Sequence, residues 1–144
     1  MSAPDYTCTI QTTASPDDAY DKVARVSEWW AKNFEGSARK LGDTFTVRFG
    51  KTFVDFKVVE AVPARRVVWS VTDCHLEWIA DKTEWNGTNV AWDIASANGI
   101  TNVTITHHGL VPGVECYNDC EQGWNGHVQN SLRQLLNGGE GMPE

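Results

Sequence analysis

Residues Thr106 to Trp124 read THHGLVPGVECYNDCEQGW, and inside this stretch the spacing of apolar residues changes from about 2 to about 3.6. Before the change, Val103, Ile105 and His107 alternate with polar neighbours, the mark of a half-buried strand over Asn102 to His108. After it, Tyr117, Cys120, Trp124, Val128, Ser131, Leu132 and Leu135 fall on one side of a helix, which Asn137-Gly138-Gly139 ends. Gly109 to Gly113 is then the hinge between a last strand and a long terminal helix. A curved sheet alone leaves one face bare, and such a helix supplies the cover.

Upstream, the alternation recurs. Thr88 to Ala95 groups Val90, Trp92 and Ile94, and Arg65 to Thr72 groups Val67, Trp69 and Val71. Phe53 to Val62 is a strand stopped by Pro63, and Phe45, Val47 and Phe49 share a face before the Gly50-Lys51 turn. Residues 74–87 have no clear period and read as a loop or a short edge strand. Near the start, Tyr6, Cys8 and Ile10 share one face of a first strand. Ser15 then caps a helix predicted to reach Val26, with Pro16 at its first position and Asp17 and Asp18 in its first turn. Ser27 to Trp30 reads as a second short helix. The expected class is α+β: a curved antiparallel sheet of about six strands, two short helices after the first, and a long C-terminal helix. No repeat, linker or low-complexity tract interrupts residues 1–144, which read as one domain.

Composition narrows the function classes. The net charge of −7 disfavours a nucleic-acid partner, since phosphate binding needs a basic face. No apolar run approaches a membrane span, and MSAPDYTCTI lacks a signal-peptide core, so a cytoplasmic location is expected. The four cysteines are then expected to be free thiols. Cys116 and Cys120, at i and i+4 on a helix, would hold their Cβ atoms about 5–6 Å apart, where a disulfide wants roughly 3.5–4.5 Å. Seven tryptophans are many for this length, and they serve either as packing or as the flat walls of a pocket.

The opening stretch admits three chemistries. His107 and His108 point to opposite faces of a strand, His107 inward, so they cannot serve one metal ion. Cys116, Cys120 and His107 make only three of the four ligands a structural zinc wants, and thiols on a core-facing helix are more often packing, so no metal or other cofactor is expected. A Cys120–His107 nucleophile and base would lack an orienting carboxylate and an oxyanion loop. A ligand pocket fits better: His107, Cys120 and Trp124, with Trp30, Trp69 and Trp92, form a mostly apolar wall with few polar points. Glu121 falls inside the apolar stripe, and it either snorkels to solvent or anchors a ligand at the cavity mouth.

The segments TEWNGT (Thr83–Thr88), THHGL (Thr106–Leu110), CYNDC (Cys116–Cys120), Gly123-Trp124 and Ser131-Leu132 occur in that order, before a closing GEGMP (Gly139–Pro143). Over nearly the whole chain this resembles the single-domain bacterial proteins related to the C-terminal domain of the activator of the 90-kDa heat-shock protein ATPase, within the START-like, helix-grip (SRPBCC) superfamily. The resemblance implies a curved sheet gripping the C-terminal helix, usually with a cavity between them. His127 departs from the pattern, in which an aromatic residue commonly follows the motif tryptophan by three. The expected function is binding of a small hydrophobic or amphipathic ligand without catalysis. One alternative is an interaction module with a chaperone or other protein as partner, presenting a patch around Trp78 and Trp85. Another is an enzyme acting on a polyketide-like substrate, with His107 and Glu121 as its acid–base pair.

Overall fold

The structure, a computed structural model, describes residues 4–144. Strand β1 (Tyr6–Thr12) leads to helices α1 (Pro16–Ala24) and α2 (Val26–Trp29). Strands β2 (Asn33–Gly36), β3 (Thr44–Phe49), β4 (Thr52–Val62), β5 (Arg66–His75), β6 (Asn89–Ala97) and β7 (Ile100–His108) follow. The chain then forms the C-terminal helix: α3 (Tyr117–Gly126), a π-helical segment (His127–Leu132) and a last turn, α4 (Arg133–Leu136). The sheet order is β1-β7-β6-β5-β4-β3-β2, and every neighbouring pair is antiparallel.

The α+β class and the helix-grip arrangement are as expected, but the sheet has seven strands rather than about six. The additional strand is β2, four residues long and mostly exposed. It pairs with β3 through Phe34 opposite Val47. Such a short edge strand shows no usable alternation. Its last residue must be glycine, because a Cβ on Gly36 would collide with the Thr44 backbone and its φ is +102°.

Local signals set the other boundaries. Ser15 Oγ accepts the Asp18 N–H at 3.1 Å and fixes the start of α1. That helix stops at Ala24, short of the expected Val26, because Arg25 leaves helical geometry (φ −83°, ψ 58°). Two register shifts between β4 and β5, at Asp55/Phe56 and Val58/Glu60, add the local twist that bends the sheet. The concave face then buries one large core. Phe45, Phe56, Trp69, Trp92, Ile105 and His107 come from the strands, and Trp124, Val128 and Leu132 from the helix, all at 2% exposure or less.

The residues after the helix fold back onto α2. Ser131, buried in the π-helical segment, donates to the Trp29 carbonyl at 2.5 Å and accepts the Met142 N–H at 2.6 Å. Glu144 and Trp30 share a backbone hydrogen bond of 3.0 Å, and Lys32 N donates to the Glu144 carbonyl. Gly141 permits this approach, since a Cβ there would overlap the Glu28 carbonyl.

Candidate functional site

A cavity of about 320 Å³ opens between the C-terminal helix and the β3–β4 end of the sheet. The aromatic rings of Trp30, Phe49, Trp78, Trp85 and Trp124 form most of its wall, with Val54 and Leu76 between them. Its polar points are Thr52, Asp119, His127 and Glu144. Cys120 and Gly123 complete the helix side.

Of the six residues expected to form a binding wall, Trp30, Cys120 and Trp124 line this cavity. Trp69, Trp92 and His107 lie deeper, in the packed core beside it. Trp69 and Trp92 are fully buried, 5.4 Å apart between ring centroids, and each contacts a second tryptophan: Trp30 stacks on Trp69, and Trp29 meets Trp92 edge-on. Their indole N–H groups have no acceptor among the described residues.

His107 is the centre of a complete polar chain. The Trp124 indole N–H donates to His107 Nδ1 at 3.1 Å. Thr88 Oγ1 lies 2.8 Å from His107 Nε2 and 2.7 Å from the Trp85 carbonyl, which can only accept. The Thr88 hydroxyl therefore donates to the carbonyl, and the imidazole carries its proton on Nε2 and donates to Thr88. Burial pushes the His107 pKa down to about 3, so the ring is neutral at pH 7. Trp85 packs edge-on against the same ring at 4.6 Å. His107 thus ties two cavity-wall tryptophans to the last strand without facing the cavity itself.

The segment between β5 and β6, which has no periodicity, contributes Leu76, Trp78 and Trp85 to the wall, as many residues as the β3–β4 hairpin. Two carboxylates cross-brace it to the hinge before α3. Glu84 accepts the N–H groups of Glu115 and Cys116 at 2.9 and 2.8 Å, while Glu115 accepts those of Ala80 and Asp81 at 2.7 and 2.9 Å. Those backbone donors hold the Glu115 carboxyl below its usual pKa. Trp85 is carried inward, to 7% exposure, and stacks on Trp124 with a centroid distance of 6.0 Å. An exposed patch formed by Trp78 and Trp85 together is therefore absent. Trp78 alone is exposed, at 48%, at the cavity mouth.

Cys116 and Cys120 are not free thiols: they form a disulfide with a Cα separation of 5.6 Å. The ideal-helix expectation fails because Cys116 is the residue before α3 (φ −84°, ψ −3°), where the chain departs from regular helix. Cys116 Sγ also accepts the Trp85 indole N–H at 3.2 Å. Cys8 and Cys74 are free. No group of three or more His, Cys, Asp or Glu side chains suited to a metal ion occurs among the described residues. Glu121 does not line the cavity; it accepts the Tyr117 hydroxyl at 2.9 Å, so it shares no site with His107.

His127 sits where the helix widens into its π segment, a distortion frequent at functional sites. Burial lowers its pKa, with the nearby Glu144 carboxylate opposing the shift. The position was visible in the sequence as a departure from the family pattern. The sequence offered Trp78 and Trp85 as an interaction patch in an unassigned segment, not as cavity wall, and nothing in it pointed to Asp119 or Glu144.

No helix among the described residues is long and apolar enough to cross a membrane. No curated protein matches the chain significantly. Among solved structures, the Aha1 dimer from Colwellia psychrerythraea has a subunit with TM-score 0.75 and 23% identity, over 92% of this chain and 96% of that one. CalU16 from Micromonospora echinospora gives TM-score 0.68 and 15% identity, over 92% of this chain and 73% of that one. Protein BH1534 from Bacillus halodurans gives TM-score 0.70 and 18% identity, over 95% and 100%. At such identities the likeness is one of fold. Residues 18–137 match the family described as Activator of Hsp90 ATPase homolog 1-like protein, and with that span, which covers most of its length, the chain belongs to this family.

Proposed function

We propose that the chain is a one-domain binding protein that holds a small, largely apolar molecule between its sheet and C-terminal helix without transforming it. The observation that carries this reading is the cavity: about 320 Å³, walled by five aromatic rings and with a few polar points at its edge. Its size lies at the small end of ligand pockets. His107, the strongest acid–base candidate by residue type, is neutral and already satisfied at both ring nitrogens, which weighs against catalysis there.

Gly123 supplies the test. It lines the cavity, and a Cβ placed on it meets no atom within 4 Å. The first carbon of a side chain at 123 thus enters open space, so Gly123→Leu is the substitution aimed at filling the cavity, and a leucine suits a helix better than glycine by about 1 kcal/mol. The neutral probe N-phenyl-1-naphthylamine should bind the native protein and raise its melting temperature. The leucine variant should melt no lower than the native protein and should lose the probe. Retention of the probe by a folded Gly123→Leu protein would show that the cavity is not the binding site.

A further inference from the structure

We infer that the ligand of this cavity is an organic cation, a molecule with an apolar body and an amine or quaternary ammonium group. This rests on the cavity being the binding site and assigns the chemistry of what enters it. Trp30, Trp85 and Trp124 line the cavity as buried rings, and Trp78 stands half-exposed at the mouth. Tryptophan faces are the strongest ring partners for a cation. Trp85 and Trp124 are nearly parallel, at 9°, and both turn their N–H edges into the core, toward Cys116 Sγ and His107 Nδ1. Their donors are thus already used, and the parts of these rings that line the cavity offer a ligand apolar, aromatic surface without an N–H donor.

The charges agree with the rings. Asp119 and Glu144, both exposed, line the cavity, and neither side-chain carboxylate makes a hydrogen bond or ion pair among the described residues. No lysine or arginine lines it, and the basic side chain present, His127, has its pKa lowered by burial. A carboxylate or phosphate head would meet two like charges with no fixed cation to offset them. An ammonium would meet two opposite charges, both on exposed residues and so weakened by solvent but of the right sign. The chain's net charge of −7 acts in the same direction on the approach of a cation.

Three ligands with one apolar body test this by calorimetry: 2-naphthylmethyl-trimethylammonium, 2-naphthalenemethanol and 2-naphthylacetate. The cation should bind at least about tenfold more tightly than the acetate. Asp119→Asn should cut that ratio to about threefold and leave the alcohol unchanged. Equal affinities, or a preference for the acetate, would overturn the cation assignment while leaving the cavity in place. If no member binds, or if binding survives Gly123→Leu, the cavity reading falls and the cation assignment falls with it.

Discussion

The indole N–H of Trp124 donates to His107 Nδ1 at 3.1 Å, and this bond joins the C-terminal helix to the last strand through the centre of the core. It exists only while the imidazole is neutral, because a protonated ring has no acceptor at Nδ1. Burial has already moved the His107 pKa from 6.5 to about 3 in the folded chain. A folded-state pKa below the unfolded one means that unfolding takes up a proton between those two values. Stability is therefore fully present above about pH 6.5 and is lost as the pH falls toward 3, by at most about 1.4 kcal/mol per pH unit. Urea titrations of the native protein and His107→Gln from pH 7 to pH 4 isolate this contribution. The native protein should lose stability faster on acidification than the variant, and parallel curves would mean that His107 is not buried in a neutral state.

Thr88 completes the same chain. Thr88→Val should cost about 1–3 kcal/mol, because His107 Nε2–H loses its acceptor in the core, whereas Thr88→Ser should cost far less. The turn glycine after β7 is linked to this residue by contact. A Cβ on Gly109 would lie 2.6 Å from Thr88 Cγ2, and the Gly109 φ of +104° already disfavours any side chain. Gly109→Ala should lose about 1–3 kcal/mol from backbone strain alone. In a Thr88→Ser background the loss should shrink by at least about 0.5 kcal/mol, since the clashing methyl is gone. Strict additivity in the cycle would contradict the contact.

The sequence revealed which way residues face better than how deep they lie. Period 2 places His107, Trp69 and Trp92 on the inner face, and all three are fully buried there. Periodicity carries no information about position along a curved face, so it could not separate residues beside the cavity from those beneath it. The cavity depends on a segment without period, which Glu84 and Glu115 hold in place through backbone contacts across 31 to 35 positions of chain. It depends also on Glu144, delivered by residues that follow the helix. The π-helical segment is equally illegible: buried positions at 128, 131, 132, 135 and 136 suit both a regular and a widened helix.

The carboxylate cross-brace predicts a specific loss of order. Glu84→Ala should leave the sheet intact while the amides of Glu115 and Cys116, which donate to Glu84, exchange with solvent much faster. Because Glu115 binds the opposite segment, the amides of Ala80 and Asp81 should follow. Hydrogen exchange read by mass spectrometry resolves both segments. Unchanged protection at 115–116 would mean that Glu84 does not hold the hinge.

Disulfide formation between Cys116 and Cys120 is testable by counting thiols. Two of the four cysteines are free, so denatured, unreduced protein should take up two iodoacetamide labels, at Cys8 and Cys74. After reduction it should take up four. Four labels without reduction would restore the expectation of free thiols.

Ser131 links the helix to the residues beyond it, and two variants separate its roles. Ser131→Ala removes the donor to the Trp29 carbonyl and the acceptor for Met142 N–H, and it leaves both backbone groups without their partner. Its hydroxyl is 2% exposed as part of a buried residue, so the substitution should cost about 1–3 kcal/mol. Gly141→Ala leaves the Ser131–Trp29 bond alone but sets a Cβ against the backbone of Glu28 and Trp29, which cannot give way cheaply. That variant should keep the core's stability while residues 139–144 lift from α2. Amide exchange at Met142 and Glu144 should then accelerate, since both donate across this contact. With Glu144 withdrawn from the lining, the cavity should also lose part of its preference for a cation over the matching carboxylate. If Gly141→Ala leaves the Glu144 amide protected, the close approach at Gly141 does not govern how these residues dock.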